Sequence, residues 1–448
     1  MNAYLINLWD RLRTSFWFVP AVMGIVAVAA SFALPVVDER VDDRYLTWID
    51  TTTLAARSTL SAIAGAMMTV TGTVFSITVV TLSLTSQQFG PRLLRTFMDD
   101  FITQFSMGAF LSTGLYCLMI LRIVEEHEEI GPPLISVAVA VLLTLFSMSV
   151  LIYYIHHVAL AIQAPHVIVA VARDLDHSID RLFPQHIGQP ADDDELDETR
   201  AAEQQRQLGE VFHMACCDRE GYIQAIDAVG LMHLATSRDL VIQLRKRPGH
   251  FVSREGPLAE VWNVSDNELG DVERQLNECV IVGRRRTPRQ DVECAIGELV
   301  EVAVRALSAG INDPHTAISC IDRLGAAMGR LAERRPPRPL RCDDDGRLRV
   351  IAPNFTFPDV LDAAFNQIRQ YGGGSPAVMI RLLEILANVM QRAIRAEDRS
   401  AILRHADMTL RAIEANITEE EDLKVVRERY GRVAASVRRS RKSSSASQ

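Results

Sequence analysis

Charged residues are missing from long stretches of the N-terminal third of this sequence. No Asp, Glu, Lys or Arg occurs between Arg57 and Arg92, and three further long runs share this absence. Each run is long enough to cross the roughly 30 Å hydrocarbon core of a bilayer as a helix, which takes about 20 residues. We therefore predict four membrane spans, at about residues 15–37, 59–85, 103–123 and 132–155.

Signatures of catalysis and of metal binding are also absent. The seven cysteines show no C-x-x-C pair, and an odd number without a pattern favours buried free thiols. No G-x-S-x-G, P-loop, H-E-x-x-H or Rossmann fingerprint occurs. The charged C-terminal part lacks the aromatic and basic pattern of a nucleic-acid surface. We therefore expect no enzymatic activity, no cofactor, no metal and no nucleic-acid partner.

The charges that flank the spans predict the orientation of the chain. Arginines precede the first span and follow the second and fourth, whereas the other two loops are acidic. Because basic loops stay on the cytoplasmic side, we expect a multi-pass protein of the bacterial inner membrane with both termini in the cytoplasm. The arginines are at positions 11, 13, 92, 95, 173 and 181.

The second span differs from a simple anchor because hydroxyl residues occur along its whole length. At 100° per residue its polar positions fall on two opposite faces. One face is a small-residue stripe that lets helices approach closely in lipid. The other is a threonine stripe that either lines a water path or bonds to backbone carbonyls. The small-residue stripe is Gly65, Thr69, Gly72 and Ser76, and the threonine stripe is Thr71, Thr78, Thr81 and Thr85.

We expect the small-residue stripe to pack within the subunit and the threonine stripe to line a pore on an oligomer axis. The competing interpretation is that both stripes pack against the chain's own spans. At the inner end, Gly90 and Pro91 break the helix and predict a hinge, with Arg92 and Arg95 at the mouth. Both arginines can also be explained simply as the positive charges that keep this loop on the cytoplasmic side.

The remaining sequence predicts a mainly α protein, in which the four-helix transmembrane domain precedes a mostly helical cytosolic domain with a small β-rich insert. Turns and alternating residues between 221 and 262 resemble the small barrels of biotinyl and lipoyl domains, without their modified lysine. The predicted boundaries are 1–157 for the membrane domain, 158–205 for a helical exit and acidic linker, 206–264 for the insert, 265–437 for the helical domain and 438–448 for a disordered tail.

One polar corner in the cytosolic part deserves a functional hypothesis. The segment 305–317 contains a helix end at Gly310 and a new helix start at Asp313-Pro314. A helix–turn–helix corner explains most of these residues. The functional interpretation is a polar pocket formed by Asn312, Asp313 and His315.

Three motifs stand out, at residues 71–94, 221–227 and 305–317. Together they resemble a family of predicted bacterial membrane proteins known as domain of unknown function 2254, and the likeness extends to about residue 335. Family members usually carry serine at the position of Gly90 and proline at that of Ala309, so this chain departs at two turns. The resemblance implies a multi-pass inner-membrane protein with a cytosolic domain, and it implies little about activity.

These observations favour an oligomeric inner-membrane protein that conducts ions or small solutes and is gated by its cytosolic domain. Its expected partners are the lipid bilayer, further copies of itself and the conducted ions or solutes. The alternative is a membrane-anchored sensor or scaffold without transport activity. That alternative needs no continuous water path through the membrane domain.

Overall fold

The computed structural model describes residues 16–38, 52–90, 100–126, 132–161, 163–182, 201–209, 211–334, 336 and 339–445. The chain divides into two compact units, Met1–Val167 and Ile168–Gln448. We refer to them as the membrane unit and the C-terminal unit. The sequence predicted the first domain boundary at residue 157, ten residues before the end of the membrane unit at Val167.

The membrane unit contains four long apolar helices, each of sufficient length and composition to cross a bilayer. They agree with the four predicted spans, although the second is longer at both ends than expected. At the C-terminal end the uncharged pattern simply continues, whereas at the N-terminal end the helix begins at Thr53, before the charged Arg57. The helices are α1 (Phe18–Asp38), α2 (Thr53–Phe89), α3 (Phe101–Glu126) and α4 (Leu134–Ala161).

Helix α3 packs against the other three helices, and small residues allow the close approach. A side-chain carbon added at Gly108 would lie 3.2 Å from the Pro20 Cα atom of α1. At the opposite end, the Asp38 carboxylate accepts hydrogen bonds from the backbone N–H groups of Ile135 and Ser136 at 2.7 and 3.0 Å. The last residue of α1 therefore caps the start of α4, where a carboxylate is stabilised by the helix N-terminus.

The C-terminal unit contains two small sheets and a larger set of helices. Residues 201–206 are also helical. In chain order the other elements are α5 (Ala164–Leu182, which begins in the membrane unit), β1 (His213–Cys216), β2 (Gly221–Ile226), α6 (Ala228–Ser237), β3 (Val241–Leu244), β4 (Phe251–Val252), β5 (Pro257–Trp262), α7 (Asp266–Cys279), β6 (Val280–Gly283), α8 (Val292–Ala306), α9 (Pro314–Ala332), β7 (Leu340–Cys342), β8 (Leu348–Ile351), α10 (Phe357–Gly372), α11 (Pro376–Arg392), α12 (Ala396–Glu414) and α13 (Glu420–Ser445).

The β-rich region differs from the predicted barrel-like insert. Its strands form a five-stranded sheet in the order β1-β5-β3-β8-β7 and a three-stranded sheet in the order β4-β2-β6. Strands β6, β7 and β8 come from beyond residue 264, so the insert is not a separate segment of the chain. The prediction was wrong here because the partners of the early strands are supplied more than fifteen residues further along the sequence.

Other predicted elements are found where expected. Strands β2 and β3 flank a short helix, and the predicted hairpin at 340–350 is the antiparallel pair β7 and β8. The tail prediction was wrong for residues 438–445, which continue α13, because its helical sequence extends past the last buried turn. The acidic linker falls mostly in 183–200, outside the described residues.

The helical layer of the C-terminal unit has one especially close crossing, between α9 and α11. A side-chain carbon added at Gly325 would lie only 2.2 Å from the Ile385 Cγ2 atom, so only glycine fits there without displacing a neighbour. Gly431 on α13 offers a contrast, since the same addition meets nothing within 4 Å. Substitution of Gly325 therefore tests the packing of two helices, whereas substitution of Gly431 tests only the helix propensity of the backbone.

Gly325→Val is expected to destabilise the C-terminal unit by about 1–3 kcal/mol, the usual effect of overpacking a core. Gly431→Ala should instead stabilise it by about 0.5–1 kcal/mol, because alanine is the better helix former. Denaturant unfolding of the two purified variants, followed by circular dichroism, checks both signs. A Gly325→Val protein as stable as the wild type would contradict the crossing.

Candidate functional site: the two faces of the second span

Helix α2 spans 37 residues, or about 55 Å at 1.5 Å per residue, without a charge between residue 58 and its end. One face of α2 is buried against the chain's own helices, and the opposite face is exposed. The buried face consists of Ala56, Leu60, Ala64, Met67, Val74, Thr78, Thr85 and Phe89. Since α3 and α4 cover this face, its chemistry is decided within a single chain.

The best-defined polar contact of the buried face joins Thr78 to Tyr154 of α4. Their hydroxyl oxygens are 2.8 Å apart, and the residues are 7 % and 1 % exposed. Both hydroxyls also reach the Val74 carbonyl, Thr78 at 2.8 Å and Tyr154 at 3.3 Å, so the carbonyl accepts from one hydroxyl while the other donates across the pair. The buried Tyr154 hydroxyl therefore holds α4 to α2.

The other members of the threonine stripe also lie towards the chain's own helices. The half-buried Thr71 donates its hydroxyl to the Met67 carbonyl at 2.7 Å, and Thr81 is half-buried. Thr85 is fully buried, and its hydroxyl has no hydrogen-bond partner among the described residues. Within one chain, this stripe therefore packs where it was expected to face an axis.

The small-residue stripe has the opposite placement to the one expected. All four of its members are exposed, and a side-chain carbon added at Gly65 or Gly72 would meet nothing within 4 Å. The hydroxyls of Thr69 and Ser76 donate to the carbonyls of Gly65 and Gly72, each at 2.9 Å. The expectation that this stripe packs within the subunit was wrong, because α3 and α4 approach α2 from the threonine side.

Helix α4 carries polar contacts that the sequence did not single out. The Tyr116 hydroxyl donates to the Ser136 carbonyl at 3.1 Å, and the hydroxyls of Thr113 and Ser147 are 2.9 Å apart. Together with Tyr154, these residues form a polar ladder along α4. The spacing of 136, 147 and 154 by eleven and seven residues places them on one helix face, which is a signal that a helical projection of the fourth span offers.

The ladder ends at a cluster where α3 begins and α4 ends. Asp100 accepts hydrogen bonds from the Thr103 backbone N–H at 3.1 Å and from the Thr103 hydroxyl at 2.6 Å, as an N-terminal cap of α3. Its Oδ2 atom is also 2.8 Å from His157 Nε2 on α4. The cluster therefore joins the end of the fourth span to the start of the third.

The predicted hinge is described only at its first residue. Gly90 follows α2 with φ 112°, a conformation suited to glycine, and its N–H donates to the Ser86 carbonyl at 3.2 Å. This geometry ends the helix as predicted. Pro91, Arg92 and Arg95 lie outside the described residues, so their roles at the inner mouth stay predictions.

The predicted polar pocket is a helix-capping corner in the structure. The Asp313 carboxylate caps α9 by accepting from the Thr316 N–H at 3.1 Å and the Thr316 hydroxyl at 2.6 Å. These bonds lower the pKa of Asp313 below its usual value. Asn312 adopts φ 50°, and both Asn312 and His315 are exposed. The three side chains do not form the predicted pocket, because the Asp313 carboxylate is bonded within the cap and the other two side chains are exposed.

A separate open cleft of about 700 Å³ lies between α6 and α7. Its polar lining includes Asp227, His233, Arg274 and Glu278. Asp227 is also the cap of α6, where it accepts from the N–H groups of Val229 and Gly230. Among the described residues no group of three or more histidine, cysteine or acidic side chains has metal-binding geometry.

One buried histidine marks the contact between α10 and α12. His405 is 1 % exposed, its Nε2 atom is 2.6 Å from Asp362 Oδ1, and its Nδ1 atom has no partner among the described residues. Burial lowers the pKa of His405 below its ordinary value, although Asp362 acts in the opposite direction. Burial therefore disfavours the charged imidazole inside the C-terminal unit.

These features define a predicted membrane protein with four candidate spans and a mainly α C-terminal unit. The chain belongs to the family described as predicted membrane protein (DUF2254), which it matches over residues 13–388. It is similar to uncharacterized proteins of Mycobacterium bovis and Mycobacterium tuberculosis, each 29 % identical over 425 residues that cover 93 % of this chain and 80 % of the relative. No solved structure matches the chain.

Tyr154→Phe is expected to destabilise the membrane unit by about 0.5–1.5 kcal/mol, because Thr78 loses its only partner on another helix among the described residues. The neighbouring Tyr153, 55 % exposed, supplies a matched control in Tyr153→Phe. Thermal unfolding in detergent, combined with Thr78→Val in a double-mutant cycle, measures the contact. Equal effects of the two tyrosine variants would contradict it.

The C-terminal unit should lose stability on mild acidification. The unfolded chain takes up a proton on its histidines near pH 6.5, about the ordinary value, whereas folded His405 resists protonation. Its contribution is therefore complete above about pH 7 and declines as the pH falls through about 6.5. His405→Gln should flatten this slope in melting experiments, and His233→Gln, at an exposed site, should not. An unchanged slope in His405→Gln would refute the assignment.

Proposed function

We propose that this protein is a homo-oligomeric, channel-like protein of the bacterial inner membrane. It conducts ions or small solutes along the exposed face of α2, and the C-terminal unit, in the cytoplasm, gates the path. The supporting observation is the exposed, uncharged small-residue stripe, which no helix among the described residues covers.

The stripe favours contact between copies over contact with lipid. Glycines and hydroxyl residues gain little from facing acyl chains, whereas small residues allow helices in a membrane to approach closely. Gly65 and Gly72 leave room at the surface of α2 that another helix can occupy. Copies arranged around an axis would bring their α2 helices together there.

The exposed hydroxyls can line such a path without a charge. Thr69 and Ser76 donate their protons to carbonyls of their own helix, so their outward lone pairs remain available to water or to a permeating ion. Hydroxyl and carbonyl oxygens can set the selectivity of a pore that contains no ionisable residue. In this proposal the small-residue stripe replaces the threonine stripe as the pore lining.

A membrane-anchored sensor without transport activity is the second candidate. The open cleft between α6 and α7 supports it, because polar groups of both signs converge there. A sensor of this kind does not need an oligomeric axis. The mass of the solubilised protein therefore separates the two candidates before any transport assay.

Gly72→Leu is expected to break the oligomer while leaving each chain folded, because the added side chain meets open space within one chain. Light scattering of the detergent-solubilised protein should show a lower mass. Planar-bilayer recordings should show conductance reduced by about tenfold or more, since the helices of the stripe no longer meet.

Ser149→Leu is the matched control, because Ser149 is an exposed hydroxyl residue on α4 that donates to the Leu145 carbonyl. It should change neither the mass nor the conductance. The channel proposal would be refuted by a wild-type protein that is monomeric in detergent. It would also be refuted by a wild-type protein that shows no conductance at any salt, voltage or membrane tension.

A further inference from the structure

Helix α5 is held to the C-terminal unit by charged contacts on one of its sides. Asp176 forms an ion pair with Arg330 near the end of α9, and Asp180 forms one with Arg334 just beyond it. Each partner is four residues from the next, so both pairs lie along the same side of α5. Arg334 also donates to the Ile179 carbonyl at 3.0 Å and is only 9 % exposed.

A second set of contacts holds another side of α5. The Pro288 carbonyl accepts a hydrogen bond from Arg181 at 2.8 Å. The buried Ser178 hydroxyl lies 3.2 Å from the same carbonyl and 2.8 Å from the Asp174 carbonyl of its own helix, so its one proton is shared between the two. Helix α5 is therefore fixed from two directions by two separate segments of the C-terminal unit.

The connection from α4 to α5 is short. Two residues separate Ala161 from Ala164, and backbone hydrogen bonds run across the junction. The Gln163 N–H donates to the Leu160 carbonyl at 3.0 Å, and the Gln163 carbonyl accepts from the Val167 N–H at 3.3 Å. We expect a connection of two residues to pass displacement of α5 on to the end of α4.

We propose that α5 is a strap that carries conformational change from the C-terminal unit to the end of the fourth span. The Arg330–Asp176 and Arg334–Asp180 pairs and the Pro288 carbonyl form its latch. The receiving point is the cluster in which His157 meets Asp100. As a gating device the strap rests on the proposed channel function, but its mechanical coupling is measurable without conduction.

Hydrogen-exchange mass spectrometry on the full chain in nanodiscs tests the strap. The variants are Arg330→Asp, Asp176→Arg and the double swap that restores opposite charges. Each single reversal should speed exchange of residues 168–182 and of residues 154–161 by about tenfold, through local opening. The double swap should return both regions to within about threefold of the wild type.

Arg427→Glu is the control, since it breaks a surface pair with Glu414 that does not involve α5. It should leave both regions unchanged. A wild-type comparison between about 0.1 and 1 M KCl covers the case of a variant that fails to fold, because salt screens the partly exposed pairs. Exchange in residues 168–182 should then rise relative to α10 and α11.

Two results would overturn the proposal. Unchanged exchange in residues 168–182 in both single reversals, or at high salt if the variants do not fold, would show that the ion pairs do not hold α5. Faster exchange there with no change in residues 154–161 would show that the fourth span does not receive the movement. Absence of conduction in the wild type would refute the channel and leave these two readouts intact.

Discussion

The arrangement of the membrane unit depends on satisfying polar groups where water is absent. In hydrocarbon an unpaired hydroxyl has no solvent partner, so each must bond within the protein or face another polar surface. Exposed hydroxyls of α2 bond to their own helix, as Thr69 does to the Gly65 carbonyl. The buried Thr78 also bonds to its own helix, and in addition it contacts Tyr154 of α4. The covered face of α2 is therefore distinguished by a polar contact to another helix.

The same constraint explains why the uncovered face is significant. A face whose hydroxyls are already bonded to their own backbone is chemically tolerant, because it can contact lipid, water or another helix. The open space at Gly72 then favours another helix, since close packing is the main attraction between helices in a membrane. Thr85 differs, because its buried hydroxyl has no partner among the described residues and is the least satisfied point of the span.

The sequence predicted the elements well and their contacts poorly, for a physical reason. Runs without charge determine spans, and the cap at Asp313 determines the start of α9, because both signals are local. Helical periodicity assigns Thr78 and Gly72 to opposite faces, but it does not decide which face meets the chain's own helices. The face that meets the chain's own helices is the one that contacts Tyr154, which is 76 residues away from Thr78 in the sequence. The pairing of the strands was not predicted for the same reason, because β3 pairs with β8, which is distant in the sequence.

The pairing of β3 with β8 also bears on how the C-terminal unit moves. These strands are parallel, so a long connection must return the chain to the end of the sheet at which β3 begins. Helices α7, α8 and α9 belong to this connection. Helix α9 carries Arg330, which binds α5 through Asp176. Displacement of α9 relative to α5 would strain this ion pair. The strap is therefore attached to the connection between two neighbouring strands of the five-stranded sheet.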